Sequence, residues 1–386
     1  MSNFDRILQE GVAAGAAPGA SATVVDHSGV RWEGAAGERV LGSNVAMTID
    51  TVGAIHSMTK AITGAAAMQL VEQGKLSLDS PASEVIPWLG EVQVLSGFDT
   101  DGQPQTRPPK TPVTLRQLLT HTSGFVYEIW NENDVRWRQA TETPSLFSLK
   151  NAALRAPLAF DPGTRWEYGT GIDWTGKMVE AASGLTLGSY FEQNLTGPLG
   201  MKDTAFSHTP SMLERTAGLH TREKNGALVC AEPNEPAKPE YEMGGGGLHS
   251  TMSDYGRFIR MMLNRGTLEG EQLLKETTVA EMVTNQIGDL RACPLKTAAP
   301  AYSNDAEFFP GEPKSWGLTF QINETPCETG RPAGTLMWAG LANSFFWIDM
   351  EAGVGGSYLS QILPFGDSRS LDLFFEIERE VYRQAR

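Results

Sequence analysis

Ser57 and Lys60 stand three residues apart in "GAIHSMTKAITGAAAMQLVEQGK", a stretch whose alanine and methionine content suits a buried helix. A helix from about residue 57 to 73, closed by Gly74, puts both side chains on one face, one turn apart. At that position the Ser57 N–H is one of the unpaired donors of the helix N-terminus, where the dipole favours negative charge. Lys60 lies among Ala61, Ile62 and Ala65, and desolvation there disfavours its charged form and lowers its pKa. A partly neutral amine can accept a serine proton, so the pair has the chemistry of a nucleophile and its base. The same residues also fit a helix cap followed by a lysine whose stem reaches solvent, and this spacing arises by chance in many chains. The chemistry needs partners.

One partner is Tyr168 in "DPGTRWEYGTGIDWTGKMVE", on a loop between Pro162-Gly163 and a helix expected to begin near Asp173. Near a lysine ammonium its phenolate is favoured, so it can relay a proton between the serine and a leaving group. An aromatic packed at the base of a loop is the plainer reading. Another partner is "TLMWAGLANSFFWID", a strand broken at Ala339-Gly340. Glycine in a strand marks close approach of a ligand or another backbone, and the Leu341 N–H behind it can be a second oxyanion donor. A hairpin turn fits the same residues. Other motifs are absent: no GK[ST] follows Gly244–Gly247, which reads as a tight turn at a cleft wall, and the chain has no GxSxG or HExxH. His56 is expected to point away from Ser57, and His121 to make structural contacts.

Elements that would position these residues are legible along the chain. Phe4, Ile7, Leu8 and Val12 have the spacing of an amphipathic helix, and "GASATVVDHSGVRWEGAAG" reads as a hairpin turning at Asp26–Gly29. Towards the other end "SWGLTFQIN", "TLMWAG", "NSFFWIDM" and "GGSYLSQILPF" are strand-like, and a last helix places Leu371, Phe374, Ile377 and Val381 on one side. Between them, "TLRQLLTHTSG" opens with Thr114 and Gln117 in capping-box spacing, and "WTGKMVEAASG", "YFEQNLTGPLG" and "DYGRFIRMMLNRG" are helices ended by glycine. The expected fold class is α/β (α+β), with one domain over residues 1–386. A sheet from both chain ends, residues 1–88 with 316–386, encloses a mainly helical subdomain with cleft loops, 89–315. Residues 91–110 and 286–314, rich in Pro, Gly and polar side chains, resist assignment and read as lids or unordered loops.

The chain carries 31 Lys and Arg against 46 Asp and Glu, a formal charge of -15 that repels phosphate backbones and anionic membrane surfaces. Nucleic acid and membrane are therefore set aside as partners, and acidity that serves only solubility explains the charge equally well. Asp5, Arg6 and Glu10 interrupt any apolar run of a signal peptide, so a cytoplasmic protein is expected. Cys230, Cys293 and Cys327 are odd in number and widely spaced, and read as buried thiols rather than a disulfide framework or zinc site. No metal or cofactor is expected, and oligomeric state is left open.

Taken in order, "PGASATVV", "SMTK", "LLTHTSGF", "DPGTRWEYG", "GGGGLHSTMSDYGRF" and "WAGLANSFFWID" resemble the serine β-lactamase and penicillin-binding-protein superfamily over nearly the whole chain. The branch is that of the family VIII carboxylesterases and the fungal lovastatin side-chain acyltransferase, relatives of class C β-lactamases. The resemblance implies a β-lactamase/transpeptidase-like fold, an antiparallel sheet flanked by helices beside a helical subdomain, with Ser57 as acylated nucleophile, Lys60 as assisting amine and Tyr168 as shared base and acid. The N–H groups of Ser57 and Leu341 would form the oxyanion hole. Two departures bear on substrate. The third motif of β-lactamases starts with a lysine that holds the drug's carboxylate, whereas Trp338 stands here, and Trp338-Ala339-Gly340 is the W-x-G form of the esterase branch. The second motif reads Tyr168-Gly169-Thr170 in place of Tyr-x-Asn, without the orienting amide. What the resemblance implies is a serine carboxylesterase for short acyl esters of small molecules, with Trp338, Ala339, Gly340 and Thr170 at the substrate. Acyl transfer to an alcohol, weak β-lactamase activity and a penicillin-type sensor that stays acylated are the alternatives.

Overall fold

Strands from both ends of the sequence build the sheet that carries the site. β1 (Gly19–Asp26) and β2 (Val30–Gly37) form the expected hairpin. β3 (Lys314–Trp316), β4 (Gln321–Asn323), β5 (Leu336–Gly340), β6 (Ser344–Asp349) and β7 (Val354–Leu359) follow far downstream. In the computed structural model, which describes residues 2–231 and 239–384, they join in the order β3-β4-β5-β6-β7-β1-β2. Every pairing is antiparallel, and Ser21 opposite Leu359 fixes the register where β1 meets β7.

The main helices are α1 (Asn3–Ala13), α2 (Thr59–Glu72), α3 (Gly171–Ser183), α4 (Met252–Leu263) and α5 (Ser368–Gln384). β6 is buried along its whole length because successive side chains leave on opposite faces and both faces are covered. Phe345 and Trp347 meet Phe374 of α5, whereas Phe346 meets Tyr255 of α4. α1 packs beside α5, started by a capping box in which Ser2 and Asp5 bond each other's backbone. α2 is buried from Thr59 to Leu70, which is why it shows no polar stripe, and it packs on α3.

Several expectations change in detail. "SWGLTFQIN" is two strands, β3 and β4, because Thr319 at φ 81° turns the chain between them. Residues 91–110 contain a hairpin, Val94–Phe98 with Pro104–Arg107, whose turn is held by the Asp99 carboxylate accepting the Asp101 and Gln103 N–H groups. Residues 286–314 are an ordered roof: the Ala298 N–H donates to the Ile129 carbonyl at 2.7 Å and Trp130 Nε1 to Ser303 Oγ at 3.0 Å. Cys327 is buried as expected, but Cys230, at the end of the short strand Leu228–Cys230, and Cys293, on the roof segment, are exposed, and all three are free thiols. Among the described residues no helix is long and apolar enough to cross a membrane.

Candidate active site

Ser57 sits in a short 3-10 turn, His56–Met58, that runs into α2 at Thr59. Lys60 Nζ lies 3.0 Å from Ser57 Oγ, 3.0 Å from Tyr127 Oη and 2.5 Å from the Gly245 carbonyl oxygen. The lysine is fully buried, so no stem reaches solvent. Burial pushes its pKa down to about 7, against the pull of the Asp173 carboxylate, which works upward.

Gly340, the last residue of β5, brings that strand against the turn. A Cβ there would lie 2.3 Å from the Ile55 carbonyl oxygen, so no other residue lets the two backbones approach this closely. The hairpin and the close approach coexist, since Asn343 at φ 56° completes the turn into β6. Leu341 consequently lines the same cavity as Ser57.

Tyr168 is placed by the loop before α3, which begins at Gly171, two residues earlier than expected. The segment is held at both ends. The Asp161 carboxylate takes both Arg107 nitrogens at 2.8 Å, and the Gly169 N–H donates to His121 Nδ1 at 3.3 Å. Gly169 is required, because a Cβ there would be 1.8 Å from the Phe125 carbonyl oxygen. The Tyr168 hydroxyl accepts from Trp338 Nε1 at 3.1 Å, and Lys60 Nζ stands 4.8 Å from the ring centroid. Burial pushes the phenol well above its ordinary pKa, with hydrogen bonds to Ser57 and Trp338 only partly offsetting it. The phenolate expected beside a lysine is thus not the resting form, because desolvation outweighs the neighbouring charge.

Three groups escaped the sequence reading: Tyr127, Asp173 and the Gly245 backbone. Tyr127 bridges Lys60 and, at 3.4 Å, Asp173 Oδ2, and the Gly245 N–H donates to Asp173 Oδ1 at 2.8 Å. The glycine run is indeed a turn on the cleft wall. His56, at φ 44°, lines the cavity beside Ser57, and burial, then the Lys60 charge, push it down to about 4. Thr170 is buried at the start of α3 and lines neither cavity beside Ser57.

Those two cavities differ. One, of about 250 Å³, is walled by Ile129, Leu146, Phe147, Leu149 and Met243 and contains Ser57 and Leu341. The other, of about 10 Å³, is lined by Ser57 together with Tyr168, Trp338, Leu295 and Phe365. A larger hollow of about 580 Å³ around Thr186–Thr209 does not reach the serine.

The family described as beta-lactamase matches residues 4–378. The chain is 31% identical to the lovastatin esterase of Penicillium rubens over 99% of this chain and 98% of that one. It is 30% identical to the monacolin J acid methylbutanoyltransferase of Aspergillus terreus, over 88% and 83%. Unliganded simvastatin synthase from Aspergillus terreus superposes with a TM-score of 0.85 at 28% identity, covering 99% and 98%. Matched from residue 4 to residue 378, and along nearly its full length by relatives named for breaking or making acyl bonds, the chain is an enzyme of the β-lactamase family of serine hydrolases.

Proposed function

We propose that the chain is a serine carboxylesterase of the family VIII type, acting on short acyl esters of small molecules. The observation that carries this reading is a fully buried Lys60 amine 3.0 Å from Ser57 Oγ. Lys60 takes the Ser57 proton as Oγ bonds to the ester carbonyl carbon, and the carbonyl π pair moves to oxygen, facing the Ser57 and Leu341 N–H groups. Collapse of that oxyanion expels the alkoxide, which gains a proton from Tyr168, resupplied by Lys60. Water then repeats the sequence in the second half. Lys60 is the first acceptor, since its pKa lies near 7 whereas the Tyr168 phenol is held far above.

Tyr168 must stand at the leaving oxygen, so the alcohol lies on its side of Ser57 and the acyl chain enters the apolar cavity. A single water needs about 10–15 Å³ of such space, so about 250 Å³ leaves room for a short acyl chain. Phe147, which lines this cavity and is one of the exposed large apolar side chains, stacks on Tyr302 at 4.5 Å. Acyl transfer to an alcohol needs the same residues, and the relative named as a methylbutanoyltransferase supports it as a second reading.

Initial rates on p-nitrophenyl butyrate and on a chromogenic cephalosporin, each with and without added alcohol, test the proposal. Trp338 is buried and offers no cation to a drug carboxylate. A missing charge-assisted bond contributes about 1.5–3 kcal/mol, so kcat/KM should favour the ester by roughly tenfold to a hundredfold or more. A cephalosporin preference would reject the esterase reading, and product partitioning towards the added alcohol would select transfer. The pH profile is a second check. Only the amine has a lone pair, so kcat/KM should fall as pH drops through about 7. An acid limb near the ordinary carboxylate range would take the base role from Lys60.

A further inference from the structure

Asp173 is buried beside Lys60 and has no part in the steps above. What it does follows from counting donors. A neutral Lys60 amine has two N–H bonds and one lone pair. The Gly245 carbonyl can only accept, which fixes one N–H. The other N–H and the lone pair face two hydroxyls, Ser57 and Tyr127, either of which can donate or accept. If Tyr127 donates to the amine, the lone pair is occupied and Ser57 receives an N–H, which cannot deprotonate it. If Tyr127 accepts, the lone pair is left facing Ser57. The direction depends on where the Tyr127 proton goes.

An acceptor for it is built in. Asp173 Oδ2 lies 3.4 Å from Tyr127 Oη, while Oδ1 is held by the Gly245 N–H at 2.8 Å. Gly245 thus ties the carboxylate on its N–H side and the amine on its C=O side. We propose that Asp173 is a positioning residue: by accepting from Tyr127 it makes Tyr127 an acceptor from Lys60 and turns the amine lone pair on to Ser57. No bond breaks at Asp173 or Tyr127, and each keeps its protonation state through the cycle. The inference rests on the proposed role of Lys60 as base.

Asp173→Asn tests it. The amide oxygen still accepts from Gly245, but the NH₂ now donates to Tyr127, whose proton swings to Lys60. On p-nitrophenyl butyrate kcat should fall about 100-fold or more, the scale of lost base catalysis, with KM changed by less than about threefold. The acid limb should move to lower pH, because the charge that helps Lys60 keep its proton is gone. The other titratable groups facing the pair, Tyr127, Tyr168, Tyr241, His56 and His121, stay in place. Adding Tyr127→Phe removes the misdirected donor, so the double variant should be about tenfold faster than Asp173→Asn, a coupling between contacting residues. A merely structural role predicts a double variant no better than the single one.

A kcat within about threefold of wild type, an unmoved limb, or a double variant no faster than Asp173→Asn would each overturn the proposal. Labelling of Ser57 by an alkyl fluorophosphonate gives the same ranking without any demand for ester specificity. Wild type that labels but turns over no ester defeats the proposed function and still decides Asp173 by that ranking; wild type that does not label defeats both.

Discussion

Ser57→Ala is expected to leave no measurable turnover of p-nitrophenyl butyrate, a loss of at least about four orders of magnitude in kcat, in a protein that still folds. Without Oγ there is no acyl-enzyme, and water would have to attack an ester that the remaining groups only bind. The folding half of this expectation comes from the local geometry. Ser57 caps no helix through its side chain, since neither the 3-10 turn nor α2 has a side-chain cap bond. Its hydroxyl contributes one hydrogen bond to Lys60, about 0.5–1.5 kcal/mol. Rates together with a thermal melt check both halves. Turnover that survives in a folded Ser57→Ala variant would remove the serine from the mechanism.

The second large effect is expected at Tyr168→Phe, a loss of about 100-fold or more in kcat. Its size should depend on the leaving group. p-Nitrophenolate departs without a proton, whereas an alkoxide needs one, so ethyl butyrate should lose more than p-nitrophenyl butyrate. Equal losses on both esters would mean that the phenol does not protonate the alcohol. The variant also strands Trp338 Nε1, whose partner is the Tyr168 hydroxyl, and an unpaired buried donor costs about 1–3 kcal/mol of stability. A melt separates that cost from the kinetic one.

What could be read from the sequence was what local spacing enforces. Ser57 and Lys60 are one turn apart, Thr114 and Gln117 cap reciprocally, and Gly340 has no room for a side chain. Tyr127 and Asp173 are 46 positions apart, and Asp173 and Gly245 are 72 apart. Each has an ordinary local reading, as a core aromatic, an acid in a first helical turn and a turn glycine, so only the fold reveals that they share one amine. The hairpin at Val94–Phe98 was hidden for another reason: it is half exposed and too short in apolar alternation to announce a strand. Cys230 and Cys293 went astray because a cysteine's usual burial says nothing about loops and edges.

The seam between β1 and β7 has a consequence for the life of the nascent chain. β1 leaves the ribosome long before its second neighbour, residues 354–359, has been synthesised. Until then the sheet cannot close, and β1, buried from Gly19 to Val25 in the finished fold, has one edge unpaired. Pairings this distant in sequence form late and slowly, and unpaired strand edges are prone to aggregate in the interval. In the proposed mechanism Leu341 is made long after the serine, so a partly translated chain would carry its nucleophile without the second oxyanion donor and stay chemically silent until assembly is finished.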